Sequence, residues 1–419
     1  MVFIDYLDST NCYITYYHVD MRLLIVSALL PSLGTSAGAA RVFEVVRGAS
    51  RRHAVDVLTF IDSDDDLRHL PALQAICRSV TTILRRRAPN AGDLFGIQPR
   101  QFVTEYSDPT MAAEICRRVS SGAYDLVQFE FLQAAWLMPR ACPIPSILTH
   151  LEVQHPGHLQ RLRLASSASE RVRHFITWMR VLHWELEICS RFRKVITLTP
   201  DDATHLARFL PNTSISVNRS GVDCTYYTPR LTEIVSNRFV FVGYYGHTPN
   251  VDAATWLVSM IMPMVWRTHP NVALDIVGGG VTPTVRALGA DPRVTVTGWV
   301  EDYRPLVARA IPLVPVRLGH GIRHKVLEAW AMGRPVVSTK LGVAGTGAVD
   351  GETASIADSA PAFASAIVNL IDSPVTQATL GRNGRARAVA HFDWSVTLAE
   401  HESIYTSVMR EWRTGVRRP

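Results

Sequence analysis

Short apolar runs alternate with longer amphipathic stretches along most of the 419-residue chain, and the alternation occurs in two successive series. Apolar runs separated by helical stretches are typical of parallel β-sheets with helices on both faces. The pattern therefore predicts an α/β fold with two doubly wound, Rossmann-like domains. Ligands of such folds bind at the carboxyl ends of the strands, so we expect a site in a cleft between the domains.

The positions of the runs define the expected elements. In the first series we predict strands at 22–27, 54–60, 125–130, 145–149, 194–198 and 214–217, and helices at 37–50, 67–86, 109–120, 158–190 and 201–209. In the second series we predict strands at 238–242, 273–277, 294–297, 312–316 and 335–338, and helices at 250–265, 283–289, 302–309, 323–332 and 360–372.

Five segments follow from this division. Residues 1–20 contain four tyrosines and no arginine, and we predict that they are a non-native or disordered extension before a true start at Met21. They lack the basic start and long apolar centre of a signal peptide. We predict an N-terminal domain over 21–223, a polar linker over 224–237, a C-terminal domain over 238–393, and a final helix within 394–419 that returns to the first domain.

Composition narrows the class of protein. The net charge of +6 is spread over many arginines, which favours anionic substrates or an anionic membrane face over nucleic acid. Six cysteines without a C-x-x-C pair predict neither a zinc site nor a disulfide framework. No apolar run reaches the roughly 18 residues that cross a bilayer. We therefore expect a cytoplasmic protein, with peripheral attachment at the inner face of a membrane as a further option.

The segment from Leu318 to Val337 carries the clearest chemical signal. A glycine-bearing loop leads from an apolar run into a predicted helix, and Arg323 and Lys325 lie at its start. A helix N-terminus offers free N–H groups and the positive end of the helix dipole, so it attracts anions. The chain has only three lysines, so a lysine at this position differs from the arginine found at most other basic positions. The pattern predicts a phosphate or diphosphate site, with a solvated basic helix start as the alternative.

Several motifs occur in an order that resembles a known enzyme family. They are Phe241–Asp252, Leu274–Gly278, Val296–Asp302, Glu328–Val337 and Phe392–Trp394, preceded by a linker motif at Asn218–Asp223. Together they resemble the donor-binding half of the GT-B glycosyltransferases, in particular glycosyltransferase family 4. The sequence Gly-His-Gly-Ile-Arg-His-Lys at 319–325 is similar to the branch of that family with a G-x-G-x-R-x-K loop.

The resemblance implies an activity. A sugar would pass from a nucleoside-diphosphate donor to a hydroxyl of a glycan, lipid-linked or small-molecule acceptor, with retained configuration and without a metal or cofactor. The first domain would bind the acceptor and the second the donor. Arg323 and Lys325 would stabilise the departing diphosphate, and Glu328 would accept hydrogen bonds from the ribose. A buried structural ion pair is the alternative for Glu328.

Further donor-binding residues are implied by the same motifs. Gly319, His320, Gly321 and Ile322 would form the loop that approaches the donor. His320 occupies the position where the family often has the first of two glutamates, so either its imidazole or the loop amides would hold the sugar hydroxyls. Gly243, Trp299 and Val300 would also line the donor site. For Trp299, capping of a core is an equal alternative.

In the first domain, Gly34 and Gly38 resemble the family's glycine loop, although a plain turn explains them equally well. His150 follows a predicted strand where the family often has a histidine that reaches the donor sugar, and a structural histidine is the alternative. Glu152 is a weaker candidate, and Asp201 and Asp202 are expected to cap a helix. The acidic run Asp62–Asp66 is predicted to be a solvated loop rather than a metal site.

The basic clusters have two interpretations, and the chain has two alternative functions. Arg85–Arg87 and the arginines of 161–180 could dock the protein on anionic lipid, or could lie on exposed polar helix faces. A glycosyltransferase-like binding subunit without activity is one alternative function, because His320 replaces a glutamate. A GT-B nucleotide-sugar epimerase is another, which would need further carboxylates in the cleft.

Overall fold

The computed structural model describes residues 21–85, 105–163, 165–230, 237–319 and 321–415. The predictions for 1–20, for residues 231–236 of the linker, and for Arg86, Arg87 and His320 lie outside these ranges. The described residues form two compact units, one within Met1–Asn218 and Leu398–Pro419 and the other within Arg219–Thr397.

The first unit contains a parallel sheet whose strand order, within the described residues, is β3-β2-β1-β4-β5-β6-β7. Its strands are β1 (Arg22–Ser27), β2 (Ala54–Ile61), β3 (Ser79–Leu84), β4 (Leu126–Glu130), β5 (Ser146–His150), β6 (Lys194–Thr197) and β7 (Ser214–Val217). Its helices are α1 (Ala37–Ala49), α2 (Leu70–Gln74), α3 (Pro109–Val119), α4 (Leu132–Ala135), α5 (His155–Arg163), α6 (Ala168–Ser190) and α7 (Pro200–Ala207), with a 3₁₀ turn at Asp64–His69.

Two predictions for this unit are wrong. The helix expected at 67–86 is instead a short helix followed by edge strand β3, whose Ser-Val-Thr-Thr-Ile-Leu sequence is rich in β-branched residues and pairs with β2. The helix expected at 158–190 is divided into α5 and α6. The Ser167 side chain accepts a hydrogen bond from Glu170 N and caps a new helix there.

The second unit contains a parallel sheet of order β10-β9-β8-β11-β12-β13 in the described part of the chain. Its strands are β8 (Arg238–Val242), β9 (Ala273–Val277), β10 (Val294–Gly298), β11 (Ile311–Val314), β12 (Val337–Ser338) and β13 (Ser355–Ile356). Its helices are α8 (Thr248–Trp256), α9 (Met262–Thr268), α10 (Pro283–Ala287), α11 (Arg304–Ala308), α12 (His324–Ala331), α13 (Ala360–Asp372) and α14 (Pro374–His391).

This unit also differs from expectation in places. The single helix expected at 250–265 is interrupted by a π-helical segment at Leu257–Ile261, which ends two residues before Pro263. Strand β13 and helix α14 were not predicted. The last helix, α15 (Trp394–Arg413), contributes from Leu398 onward to the first unit, as the sequence pattern predicted. There Tyr405 and Val408 pack in one core cluster with Leu23 and Ile25 of β1.

Buried polar side chains fix α15 against the first sheet. The ring nitrogens of His401 lie 3.0 Å from Asn218 Oδ1 and 3.1 Å from Gln128 Oε1, and the Tyr405 hydroxyl donates to Gln128 Oε1. Because buried polar atoms need partners, this network specifies one position for the helix. Among the described helices, none is both long and apolar enough to cross a membrane.

Candidate functional site

The predicted anion site lies at the start of α12, beyond the carboxyl end of β11. Gly319 and Gly321 precede it with φ angles of 94° and 76°, which favour glycine over other residues. Arg323 occupies the N-cap position, and its side chain does not cap the helix. The first N–H groups of α12 therefore lack a side-chain cap at this end, as an anion site requires.

Lys325 lies in the first turn of α12 and is half-buried. Its Nζ donates a hydrogen bond of 3.0 Å to Asn250 Oδ1 and lies 4.5 Å from the centroid of the Phe241 ring. Burial and the positive charge of Arg323 lower the pKa of Lys325 to about 7, against the opposing charge of Glu328. An ammonium in such surroundings gains strongly from a bound anion.

A third basic group completes the cluster. Burial lowers the pKa of His247, and the charges of Arg323 and Lys325 lower it further, so the three groups lie close enough to repel one another. His247 is the N-cap residue of α8. The helix starts of α8 and α12 thus bring basic side chains to the same edge of the sheet.

Glu328 lies one turn after Lys325 and is held by two tyrosines. Its carboxylate accepts a hydrogen bond from the Tyr303 hydroxyl, which also forms a hydrogen bond of 2.8 Å with the Tyr227 hydroxyl. Burial raises the pKa of Glu328, although the Tyr303 hydroxyl and the Lys325 charge oppose the change. Among the described residues Glu328 forms no salt bridge, and the cation whose charge acts on its pKa is Lys325.

A small cavity lies beside Lys325 and Glu328. It has a volume of about 10 Å³ and is lined by both side chains, by Tyr303 and by apolar residues of β8 and β11. This volume is close to the minimum for one water molecule. Any larger ligand of these two groups must therefore bind on their outer side.

Glycines allow close contact between the turns that follow β8 and β9. A Cβ atom on Gly278 would lie 1.9 Å from the carbonyl oxygen of Gly243, so the turns after β8 and β9 can meet only with glycine there. A Cβ on Gly243 would lie 3.0 Å from Asn250 Cγ. Gly243 therefore leaves room for the amide that binds Lys325.

Two aromatic side chains flank the turn after β9. Trp299 is 74% exposed and Tyr244 is 65% exposed. A Cβ on Gly279 would contact Trp299 at 3.5 Å, and one on Gly280 would lie 2.6 Å from the Tyr244 ring. Trp299 does not cap a core, because most of its surface is open to solvent. Val300, in contrast, packs on the cluster around Val240 and Val277.

The predicted residues of the first unit lie at the carboxyl ends of its strands. Gly34 has a φ angle of 81° and is exposed, and Ser36 caps α1 by accepting a hydrogen bond from Ala39 N. A Cβ on Gly38 would lie 3.0 Å from the Phe131 ring, so the helix start packs closely there.

His150 is buried at the end of β5, and its Nε2 lies 3.2 Å from Glu185 Oε1. Glu185 also accepts from Gln154 N and His155 N, and its Oε2 lies 2.8 Å from His155 Nδ1. These hydrogen bonds outweigh burial and lower the pKa of Glu185 to about 2. The structure thus gives His150 a charged, buried partner.

The weaker acidic candidates have structural environments. Thr199, rather than the aspartate pair, caps α7, and the buried Asp202 carboxylate accepts a hydrogen bond from its hydroxyl. Glu152 is exposed. In the acidic run, Asp66 Oδ2 accepts from Asp62 N and caps the 3₁₀ turn, while Asp62 pairs with Arg85.

Sequence reasoning missed five residues around the charged groups. They are Asn250, Tyr227, Tyr303, His247 and Tyr244. Asn250, His247 and Tyr244 lie inside the motif Phe241–Asp252, and Tyr303 follows the motif Val296–Asp302 directly. Their position in or beside these motifs was a signal that could have identified them. Tyr227 lies in the linker and had no such signal.

The two parallel-sheet units define a GT-B fold of two Rossmann-like domains, and solved structures share it. Sucrose-phosphate synthase from Thermosynechococcus elongatus matches with a TM-score of 0.70 and 19% identity, over 93% of this chain and 99% of that protein. HepE from Anabaena in complex with UDP matches with a TM-score of 0.68 and 16% identity, over 92% and 100% of the two chains.

The sequence of the second unit is similar to a more specific group of proteins. Residues 236–373 match the family model described as glycosyl transferases group 1. The chain is 27% identical over 185 residues to the lipopolysaccharide core biosynthesis glycosyltransferase LpsE of Rhizobium meliloti. This match covers 42% of this chain and 50% of that protein.

A second relative is the GDP-mannose-dependent monoacylated alpha-(1-6)-phosphatidylinositol monomannoside mannosyltransferase of Corynebacterium glutamicum, 29% identical over 199 residues. This match covers 42% of the chain and 52% of the relative. The chain thus spans about half the length of the curated relatives it matches.

Proposed function

We propose that the protein is a glycosyltransferase that moves a sugar from a nucleoside-diphosphate donor to an acceptor hydroxyl. The observation that carries this proposal is the cluster of His247, Arg323 and Lys325 at the open N-terminus of α12. Arg323 lowers the pKa of Lys325, and both lower the pKa of His247, so three charged groups here are costly unless an anion joins them. A diphosphate supplies that anion.

The bond that breaks joins the anomeric carbon to the diphosphate oxygen. Positive charge grows on the sugar ring and negative charge grows on the leaving group, so cations at the diphosphate stabilise the transition state more than the ground state. Arg323 offers a bidentate guanidinium and Lys325 a point charge. In this proposal the two side chains supply the charge that a divalent metal supplies in other transferases.

Each part of the donor has a proposed contact. Trp299 and Tyr244 would stack on the base, because their exposed rings flank the glycine turn after β9. Glu328 would accept hydrogen bonds from the ribose hydroxyls on its outer side. The loop with Gly319, His320, Gly321 and Ile322 would approach the donor sugar. The identity of the base is open, since HepE is solved with UDP and the mannosyltransferase uses GDP-mannose.

The proposed stereochemical outcome is retention. The acceptor oxygen would attack the same face from which the diphosphate departs, and its proton would pass to the leaving phosphate oxygen. No enzyme nucleophile is needed in this scheme. A glycan, a lipid-linked sugar or a small molecule would serve as acceptor, bound by the first domain, whose Gly34 loop is a candidate contact. His150 stays a candidate contact of the donor sugar.

Release of nucleoside diphosphate from a panel of UDP- and GDP-sugars tests the proposal. We expect release with one donor, continued activity after chelation of metals by EDTA, and an α-linked product from an α-linked donor by NMR. Isothermal titration calorimetry with UDP and GDP provides the binding measurement. Absence of binding to every donor and diphosphate would refute the proposal. Binding without release would indicate a binding subunit instead.

A further inference from the structure

Helix α6 exposes a row of large apolar side chains in its first half. Val172, Phe175, Ile176 and Met179 are between 44% and 59% exposed. Their spacing of three and four residues places them on one face of the helix. The second half of the same helix buries its apolar residues, including Trp184 and Ile188, in the core of the first unit. The exposed row is therefore a distinct surface rather than the edge of the core.

Basic side chains surround this row. Residues 155–180 contain Arg161, Arg163, Arg171, Arg173 and Arg180, but Glu170 is the only carboxylate. The Glu170 carboxylate accepts hydrogen bonds from the backbone N–H and hydroxyl of Ser166. None of the five arginines is within salt-bridge distance of a carboxylate among the described residues. The segment thus carries an excess of four positive charges beside an apolar row.

A groove between α5 and α6 belongs to the same surface. It has a volume of about 580 Å³ and is lined by Leu162, Arg163, Arg171, Val172 and Phe175. Three apolar side chains and two guanidiniums in one groove match a phospholipid, which has a phosphate next to an apolar glycerol and acyl region. Guanidiniums are well suited to phosphate oxygens.

We propose that this surface, formed by Val172, Phe175, Ile176, Met179 and the five arginines, docks the protein on an anionic phospholipid bilayer. The apolar row would enter the boundary between headgroups and acyl chains, while the arginines contact lipid phosphates. The surface belongs to the first unit and uses none of the residues assigned to the donor. Docking would bring the protein to acceptors that reside in the membrane.

The charge of the surface distinguishes a bilayer from a second copy of the chain. Face-to-face pairing of two copies would bring ten arginines together with two glutamates, and like charges at such an interface are unfavourable. Anionic headgroups supply the opposite charge. The proposal therefore predicts binding that depends both on anionic lipid and on ionic strength.

Co-sedimentation with vesicles tests the proposal on the full chain. We expect binding to vesicles of phosphatidylcholine mixed with phosphatidylglycerol, little binding to phosphatidylcholine alone, and release by high salt. The double variant Arg171→Gln, Arg173→Gln should bind roughly 25-fold more weakly, because each arginine near an anionic surface contributes about 1 kcal/mol, or roughly fivefold in affinity. The double variant Phe175→Ser, Met179→Ser should lose about tenfold or more.

Matched control variants separate loss of the docking surface from the general effect of removing exposed arginines or apolar residues. Arg51→Gln with Arg140→Gln removes two exposed arginines elsewhere on the first unit, and Leu67→Ser with Val375→Ser removes two exposed apolar residues. Both controls should bind like the wild type, and all variants should keep the wild-type circular dichroism. Equal binding to neutral vesicles, no binding, or equal losses in the control variants would overturn the proposal. So would a dimer in sedimentation equilibrium that Phe175→Ser dissociates.

Discussion

Lys325 Nζ donates a hydrogen bond to Asn250 Oδ1 over 3.0 Å, which joins the first turn of α12 to α8. Gly243 leaves the space in which the Asn250 side chain lies, and the Asn250 amide nitrogen donates to the carbonyl of Tyr244. The amide is therefore fixed at both ends. It directs the ammonium toward the edge where β8 and β11 end.

Loss of the lysine should reduce turnover far more than stability. We expect Lys325→Ala to lower the rate of nucleoside diphosphate release by about 100-fold or more, the effect of removing one group that stabilises developing negative charge. The thermal midpoint should stay near that of the wild type, since a half-buried ammonium with a lowered pKa adds little to folding. Steady-state kinetics and thermal melts measure both quantities.

Lys340 provides the matched control. Its side chain is 84% exposed and forms a surface pair with Asp358. Lys340→Ala should retain wild-type turnover. If Lys325→Ala were equally active, Lys325 would have no role at the diphosphate.

The affinity for nucleoside diphosphate should fall as pH rises above 7. The pKa of Lys325 is lowered to about 7, so the free site holds an ammonium below this pH and a neutral amine above it. Anion binding favours the ammonium, and above pH 7 the ligand must therefore bind together with a proton. The dissociation constant measured by calorimetry should rise between pH 7 and 9, by up to about tenfold per pH unit.

Lys325→Arg should remove this dependence, because a guanidinium stays charged throughout the range. Proton uptake can be confirmed by repeating the titrations in buffers of different ionisation enthalpy. A dissociation constant for the wild type that is constant from pH 7 to 9 would contradict the assignment.

Trp299 should contribute to affinity and not to stability. Stacking of one base on an aromatic side chain contributes about 1–3 kcal/mol, so Trp299→Ala should weaken nucleoside diphosphate binding roughly five- to 150-fold. Because Trp299 is 74% exposed, its removal should leave the thermal midpoint nearly unchanged. Trp412, which is 41% exposed on α15, is the control, and Trp412→Ala should bind as the wild type does.

The role proposed for Glu328 can be tested with a modified ligand. If its carboxylate accepts hydrogen bonds from the ribose, a nucleoside diphosphate without the ribose hydroxyls should bind the wild type about 10- to 100-fold more weakly. The Glu328→Gln variant should discriminate much less between the two ligands. Glutamine keeps an acceptor for the Tyr303 hydroxyl, so folding should be preserved. Undiminished discrimination by the variant would show that another group binds the ribose.

The first unit should lose stability in mild acid through His401. Burial and the nearby charge of Arg41 lower the pKa of His401 to about 3, whereas the unfolded value is near 6.5. Below pH 6.5 the unfolded state binds a proton that the folded state does not. The free energy of unfolding should therefore fall, by at most about 1.4 kcal/mol per pH unit, until pH 3.

Urea denaturation at several pH values measures this slope. His401→Gln should flatten it, while His391→Gln, which changes an exposed histidine, should leave it unchanged. An unchanged slope in His401→Gln would assign the acid sensitivity to other groups, such as the buried Glu185.

The sequence predicted most strands closely, and its errors have physical causes. Strands such as β1, β8 and β9 are buried apolar runs whose bounds follow from composition. Strand β3 lies at the edge of its sheet and has no fully buried residue, so its polar, β-branched sequence resembled part of a helix. The break before α6 depends on a serine that caps the helix. Because serine is also tolerated within loops, the residue alone did not reveal the break.

The sequence by itself determined the two α/β units and the placement of Arg323, Lys325 and Glu328 on one helix start, because both follow from local periodicity and spacing. Tertiary structure decided the partners of those charges. Asn250 comes from α8, Tyr303 from the segment before α11, and Tyr227 from the linker, so the residues that tune Lys325 and Glu328 are distant in sequence. Their proximity depends on the packing of parallel strands, which places the loops after β8, β10 and β11 at one edge of the sheet.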